Sequence, residues 1–299
     1  MNGFRAYREG LSRAAGYWRL VVVMVIVGLL SALVAAAPAA VVLLQPARRP
    51  AIRGVIDGVD GWMVIEALSA PPVEEGAAAF AEAAGQIALP ALLAIGTVLL
   101  SAWLSSAFLS GGALNIYAEG GEFRLRRFLR SCWRWFGTLL LVGLLHAVGT
   151  ILLFALLLAL TGVVTVAVGG WAIGLTGLLV VIVALLWLAA WELTRVAVVV
   201  GERRNVFRAF GRAVGFIFRR PSSVALLYAL SLVSWAALYA LYRWALVPRL
   251  PRAWWLLAFV LQQVFVAFWL WIRLGRWAGG VGLFKASGAP TVIGPADDG

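Results

Sequence analysis

Residues 136–160 read FGTLLLVGLLHAVGTILLFALLLAL, with no Lys, Arg, Asp or Glu. At 1.5 Å per residue a helix of that length crosses the ~30 Å of bilayer hydrocarbon, which takes ~20 residues. Strands of a membrane barrel would alternate polar and apolar residues, and this run does not, so a helix is predicted. Five more runs of the same kind lie outward from it, at about 20–44, 87–113, 171–200, 224–246 and 254–281. The whole composition agrees. Of 299 residues, 63% are hydrophobic and 13% charged, and the mean hydropathy is +0.96. Soluble domains carry ~25% charged residues. No water-soluble fold hides so much apolar surface, which excludes soluble enzymes and DNA-binding domains. The fold expected is all-α: a polytopic bundle of six transmembrane helices, with amphipathic surface helices in the loops. Residues 1–288 form one domain, and 289–299 (APTVIGPADDG) a disordered tail.

The loops orient the bundle. Arg5, Arg8, Arg13 and Arg19 precede the first span. A signal peptide also starts basic, but its apolar region is only ~7–15 residues, so 20–44 reads as an uncleaved first span. Loop 45–86 sets Arg48, Arg49 and Arg53 against six acids. Loop 114–135 sets five arginines against Glu119 and Glu122, and loop 201–223 sets six against Glu202. The positive-inside rule then places both termini and these two arginine-rich loops in the cytoplasm of a bacterial inner membrane. Arg249 and Arg252 in the loop before the last span are a mild exception. In the outer loop, Ile52, Ile56, Val59 and Met63 recur at helical spacing, which predicts a short surface helix. Glu74 onward restarts a helix leading into the second span.

The formal charge is +12, with Lys285 the one lysine. In so apolar a chain the matching partner is an anionic headgroup rather than nucleic acid. The segment GEFRLRRFLRSCWRWF places Leu125, Phe128, Leu129, Cys132 and Phe136 on one helix face, and Arg126, Arg127, Arg130 and Arg134 on the other. RRNVFRAFGRAVGFIFRRP places Phe207, Phe210, Val214 and Ile217 opposite Arg204, Arg208 and Arg212. Helices with an arginine face and an aromatic face suit the headgroup level of a bilayer. A shift of 82 residues superimposes Arg126 on Arg208, Phe128 on Phe210, Arg130 on Arg212 and Phe136 on Phe218, which leaves open a duplicated unit.

Within the spans, Glu192 is the only acid, and Arg195 follows three residues later on the same face, where the two can pair. Charged groups inside a membrane are costly and mark either packing pairs or function. His146, Gln262, Gln263 and Asn115 suit interhelical hydrogen bonds. Gly111–Gly112, Gly169–Gly170 and Gly279–Gly280 allow close helix approach.

Catalytic patterns are missing. One histidine and one cysteine, Cys132, exclude His-rich or CxxC metal sites and an intramolecular disulfide. FLSGGAL around Ser110 lacks the glycine before serine that rhomboid-type proteolysis uses. DGVDG at 57–61 lacks the further aspartates of a CDP-alcohol phosphatidyltransferase. EEGAAAF at 74–80 lacks the companions of an intramembrane metalloprotease, and no Walker lysine is present. No enzyme activity and no cofactor are expected.

The turn LSGGALNIYAEGGEFRLRRFL, and ELTRVAVVVGERRNVFRAFGRAVGFIFRRPSSVALL joining the fourth and fifth spans, resemble uncharacterised bacterial six-span integral membrane proteins related to the membrane domain of glycerophosphodiester phosphodiesterases. The resemblance covers about 110–227 and implies the membrane fold and location. The chain carries no phosphodiesterase catalytic domain, so no catalysis follows. The function expected is a non-enzymatic accessory or scaffold that engages anionic lipids or a partner protein through its arginine-rich helices. The alternative is a permease, or the membrane subunit of a transporter powered by a separate ATPase.

Overall fold

Apolar runs of this length leave the backbone no partner but itself, so each becomes a helix. The structure, a computed structural model, describes residues 1–44, 74–169, 172–201, 205–246 and 254–287, and among these there is no strand. The helices are α1 (Gly3–Gly16), α2 (Trp18–Leu44), α3 (Glu74–Glu119), α4 (Leu125–Val168), α5 (Ala172–Val200), α6 (Val206–Arg219), α7 (Pro221–Ala240) and α8 (Trp255–Lys285). A π-helical turn, Leu241–Leu246, continues α7. Five of them, α3, α4, α5, α7 and α8, are long and apolar enough to cross a membrane. The count is six if α1 and the start of α2, bent by 75° at Tyr17, act as one. The fold is that of a multi-pass membrane protein. The surface helix expected over 52–63, Arg204 and the tail 289–299 lie outside the described residues.

Two compact units divide the chain, Met1–Ile26 with Ser106–Gly299, and Val27–Ser105. In the second, the Ser31 and Ser105 hydroxyls share a hydrogen bond of 2.8 Å between α2 and α3. Thr97 Oγ1 donates back to the Leu93 carbonyl at 2.7 Å, so its hydroxyl meets an acceptor on its own helix.

In the first unit the N-terminal arginine stretch folds as a helix of its own, an outcome outside the sequence expectation. Asn2 caps α1 by accepting from Arg5 N at 2.9 Å. Gly3, Ala6, Tyr7, Gly10 and Ala14 form its buried stripe, while Arg5, Arg8 and Arg13 stay exposed. The stripe is small because α1 lies directly on α8. A Cβ at Gly10 would strike the backbone of Gly275 and Gly279, one at Gly279 the Ala6 carbonyl, and one at Gly275 the Leu11 side chain. Small residues allow such an approach of two backbones. Tyr7 Oη donates to Ser234 Oγ of α7 at 2.6 Å, and Trp271 Nε1 donates to the Leu11 carbonyl at 3.3 Å.

Gly111 and Gly112 play the same part for α3 and α4. A Cβ at Gly112 would meet Cys132 Sγ and the Phe128 ring, and one at Gly111 would meet Trp135 and Leu139. Phe128, Cys132 and Leu139 are fully buried there. Gly120 and Gly121, at φ 72° and 102°, turn the chain between the two helices, a backbone that side-chain-bearing residues rarely adopt. The buried side chains gather near these arginine-bearing helix ends. Further along α4, Ile151, Leu152 and Leu158 are about two-thirds exposed, an apolar surface of the kind that faces lipid.

One of the two expected arginine-rich surface helices changes. The arginine-rich segment before the third span is not a separate helix lying flat, because α4 runs unbroken from Leu125 to Val168 and carries that segment as its first turns. Gly137 and Thr138 stand between Arg134 and the leucines, but no Pro does, and both residues are held inside the continuous helix. The segment after the fourth span does form a separate helix, α6, capped by Asn205 and ended before Pro221.

Candidate functional site

The arginines of α4 come together. Arg124, Arg126, Arg127, Arg130 and Arg134 line an open cleft of about 850 Å³ with Glu119, Glu122, Asn115 and Ser131. Arg127 pairs with Glu119 at 2.7 Å. Asn115 Nδ2 donates to Ser131 Oγ at 3.0 Å, tying the end of α3 to α4 as interhelical polar groups do. Arg134 lies over the Trp135 ring at 5.1 Å. Lys285, at the end of α8, donates to the Ala118 carbonyl. That cation sits where the last carbonyls of α3 lack helical N–H donors, which the helix dipole favours. The α4 arginines are placed the opposite way. They crowd the N-terminal turns of a helix, where the dipole opposes cations. Helix stability therefore does not account for them, whereas an anion in the cleft would be favoured by both the arginines and the helix end.

Helix α6 has three faces. At 100° per residue, Val206, Ala209, Ala213 and Phe216 share the buried one. Phe207 and Phe218 share a second, exposed by more than 70%. Arg208, Arg212 and Arg219 share the third. Phe207 thus faces outward rather than joining Phe210, Val214 and Ile217 in one packed stripe. The Arg212 guanidinium rests against Gly201, at the carbonyl-bearing end of α5. The 82-residue correspondence joins residues in unlike settings: Phe128 is fully buried inside a continuous helix, and Phe210 half-buried on a separate one.

Glu192 does not pair with Arg195. Its Oε1 accepts from Arg276 Nη2 at 2.5 Å, between α5 and α8, and the two side chains are 11% and 20% exposed. Spacing on one helix offers Arg195 as a neighbour, but packing brings the α8 guanidinium to the carboxylate. Arg195 and Arg273 stand within electrostatic reach of the same carboxylate. Arg276 also lies over the Tyr228 ring at 5.4 Å. Arg273 Nη2 donates to Ser106 Oγ at 3.0 Å, and its guanidinium stacks 4.8 Å from the Trp277 ring. The sequence expectation omits Arg273 and Arg276, although two arginines three residues apart inside an apolar run are a visible signal.

His146 sits in an aromatic cluster, 5.4 Å from the Trp191 ring and 6.1 Å from Trp187, with Phe210 of α6 closing the group 4.8 Å from Trp191. Trp187 Nε1 donates to Thr150 Oγ1 at 2.9 Å, across α4 and α5. The cluster fixes α6 against two spans; His146 Nδ1 is buried there with no hydrogen-bond partner, and Glu192 and Arg195 stand within electrostatic reach of the imidazole. Among the described residues, no three His, Cys, Asp or Glu side chains are grouped to hold a metal ion.

Site and fold together define a multi-pass helical membrane protein with two arginine-lined clefts, one polar and open, one within the spans. Compared with protein-family models, curated proteins and solved structures, the chain finds no match, and none of the three links it to glycerophosphodiester phosphodiesterase membrane domains.

Proposed function

We propose that the protein is a non-enzymatic accessory or scaffold of a bacterial inner membrane that engages anionic lipid headgroups through its arginine-rich helix ends. The observation that carries this reading is the α4 cleft, where five arginines face two glutamates beside the uncapped amides of a helix start. The outward aromatics of α6 support it. Phe207 and Phe218 suit the apolar boundary of a leaflet while Arg208 meets its headgroups. The resemblance to the six-span group fits the same location and adds no catalysis. Both termini and both arginine-rich segments face the cytoplasm, where anionic lipid and the positive-inside rule place them.

Two experiments test this reading. Single cysteines read topology, and the native Cys132 is fully buried and so a silent background. Glu74→Cys should react with an impermeant thiol reagent from outside intact cells, and Glu122→Cys only after permeabilisation; the reverse pattern overturns the orientation. For binding, Arg126, Arg130 and Arg134 near an anionic surface contribute about 3 kcal/mol in all at low salt. The purified protein should therefore retain anionic over neutral lipid through mixed-micelle exchange, less so as salt rises. The triple Gln variant should lose most of that preference. Equal retention of both lipids by the native protein would remove the electrostatic basis of the proposal.

A further inference from the structure

We propose that the cleft between α5, α7 and α8 binds one acidic phospholipid with a hydroxyl-bearing headgroup. Its phosphate would sit at Arg273 and Arg276, and its acyl chain along Leu186, Leu232 and Trp235. This site is separate from the α4 cleft and does not depend on it.

The cleft holds about 720 Å³. Its waist is polar, with Glu192, Tyr228, Ser231, Arg273 and Arg276, and the rest of its wall is apolar. Along their helices these charged groups lie roughly 12–18 Å from the C-terminal ends of α5 and α8, at 1.5 Å per residue. Beyond the waist the wall continues through Leu186 and Ile182 of α5 and Trp235 of α7. Leu186, Leu232 and Trp235 are about half exposed, so the cleft opens sideways from the spans rather than closing over a void. A polar waist with an apolar extension open to the side has the shape of an amphiphile.

Charge selects the sign of the guest. Glu192 is one carboxylate facing Arg273 and Arg276, with Arg195 alongside. Its pair with Arg276 leaves two guanidiniums uncompensated in an apolar setting, which is costly unless an anion neutralises them. Hydrogen bonding refines the headgroup. Arg276 Nε is buried with no acceptor, and Glu192 Oε2 is buried with only the Tyr228 hydroxyl in reach, which leaves it a lone pair to accept a second donor. Buried polar atoms of this kind call for partners. A phosphate oxygen satisfies the first and a headgroup hydroxyl the second. A glycerol-type phosphodiester supplies both, whereas a choline lipid has no hydroxyl to give and carries its own cation.

The test uses the full chain in nanodiscs of phosphatidylcholine doped with a phosphatidylglycerol that carries a photoreactive acyl chain. Cross-links mapped by mass spectrometry should fall on residues 182–192, 224–235 and 269–276. Unlabelled phosphatidylglycerol should compete, phosphatidic acid should compete less well, and phosphatidylcholine and inorganic phosphate should not. Arg273→Gln should reduce the labelling about tenfold, the effect of losing one charge-assisted contact. Arg126→Gln with Arg130→Gln and Arg134→Gln should leave it unchanged, which separates this site from the α4 cleft. Equal labelling of these peptides by a photoreactive phosphatidylcholine would overturn the proposal, and so would loss of labelling in the α4 triple variant. The competition series needs no variant, so a folding failure of Arg273→Gln does not remove the test.

Discussion

Glu192→Gln should destabilise the detergent-solubilised protein by about 3 kcal/mol, and more than Arg276→Gln does. Removing one member of a buried ion pair costs ~3–5 kcal/mol, because the charge left behind keeps its desolvation penalty without its partner. The two members are not equivalent here. Glu192→Gln leaves Arg195, Arg273 and Arg276 with no acid among them, whereas Arg276→Gln leaves Glu192 with two other arginines in reach. Glu192→Gln with Arg276→Gln should recover part of the loss, giving a coupling of at least about 2 kcal/mol in a double-mutant cycle. The same cycle with Arg195→Gln should give a smaller coupling, since the carboxylate hydrogen bond goes to α8. Thermal unfolding in one detergent, followed by tryptophan fluorescence, supplies the four stabilities. Additive effects of positions 192 and 276 would contradict the pairing.

Gly10→Leu should dislodge α1 from α8. The new side chain begins where the Gly275 carbonyl and the Gly279 backbone already stand, and overpacking of this kind costs ~1–3 kcal/mol even where side chains can yield. Backbone yields less than side chain, so the upper end is expected. Displacement would also break the Tyr7–Ser234 and Trp271–Leu11 hydrogen bonds. Gly16→Leu, on the same helix with nothing within 4 Å of the added Cβ, is the control and should be close to neutral. The readout is a cysteine at Ala6, which is fully buried. Ala6→Cys should resist a maleimide in the parent and in Gly16→Leu, and react in Gly10→Leu. Equal protection in all three would show that α1 is not held by the glycine contact.

The apolar spans were legible because the bilayer acts on each residue separately. A run without charges is read one position at a time, and the helices at 172–200 and 255–285 begin and end within a few residues of the expected limits. The polar link of Asn115 to Ser131 was half legible: the amide was a visible candidate, its acceptor was not. Helix α1 was missed because its buried face is glycine and alanine, residues that carry almost no apolar signal, and only the opposing Gly275 and Gly279 make that face meaningful. The unbroken α4 was missed because a switch from arginines to leucines looks like a boundary, whereas a helix ends only where backbone or caps end it.

The candidate clefts divide in the same way. That Arg126, Arg127, Arg130 and Arg134 share a face follows from helical spacing, a property of one segment. That they face Glu119, Asn115 and one common space depends on the glycine turn at 120–121 and on the Gly112 contact, which bring a second helix alongside. Glu192 shows the limit most plainly. Its sequence position decided that a charge would lie within a span and require a partner. Which guanidinium answers, 84 residues away on α8, was decided only by packing. An ion pair depends on distance in space, and three residues of separation on one helix carry less weight than the direction in which the neighbouring helix points its side chains.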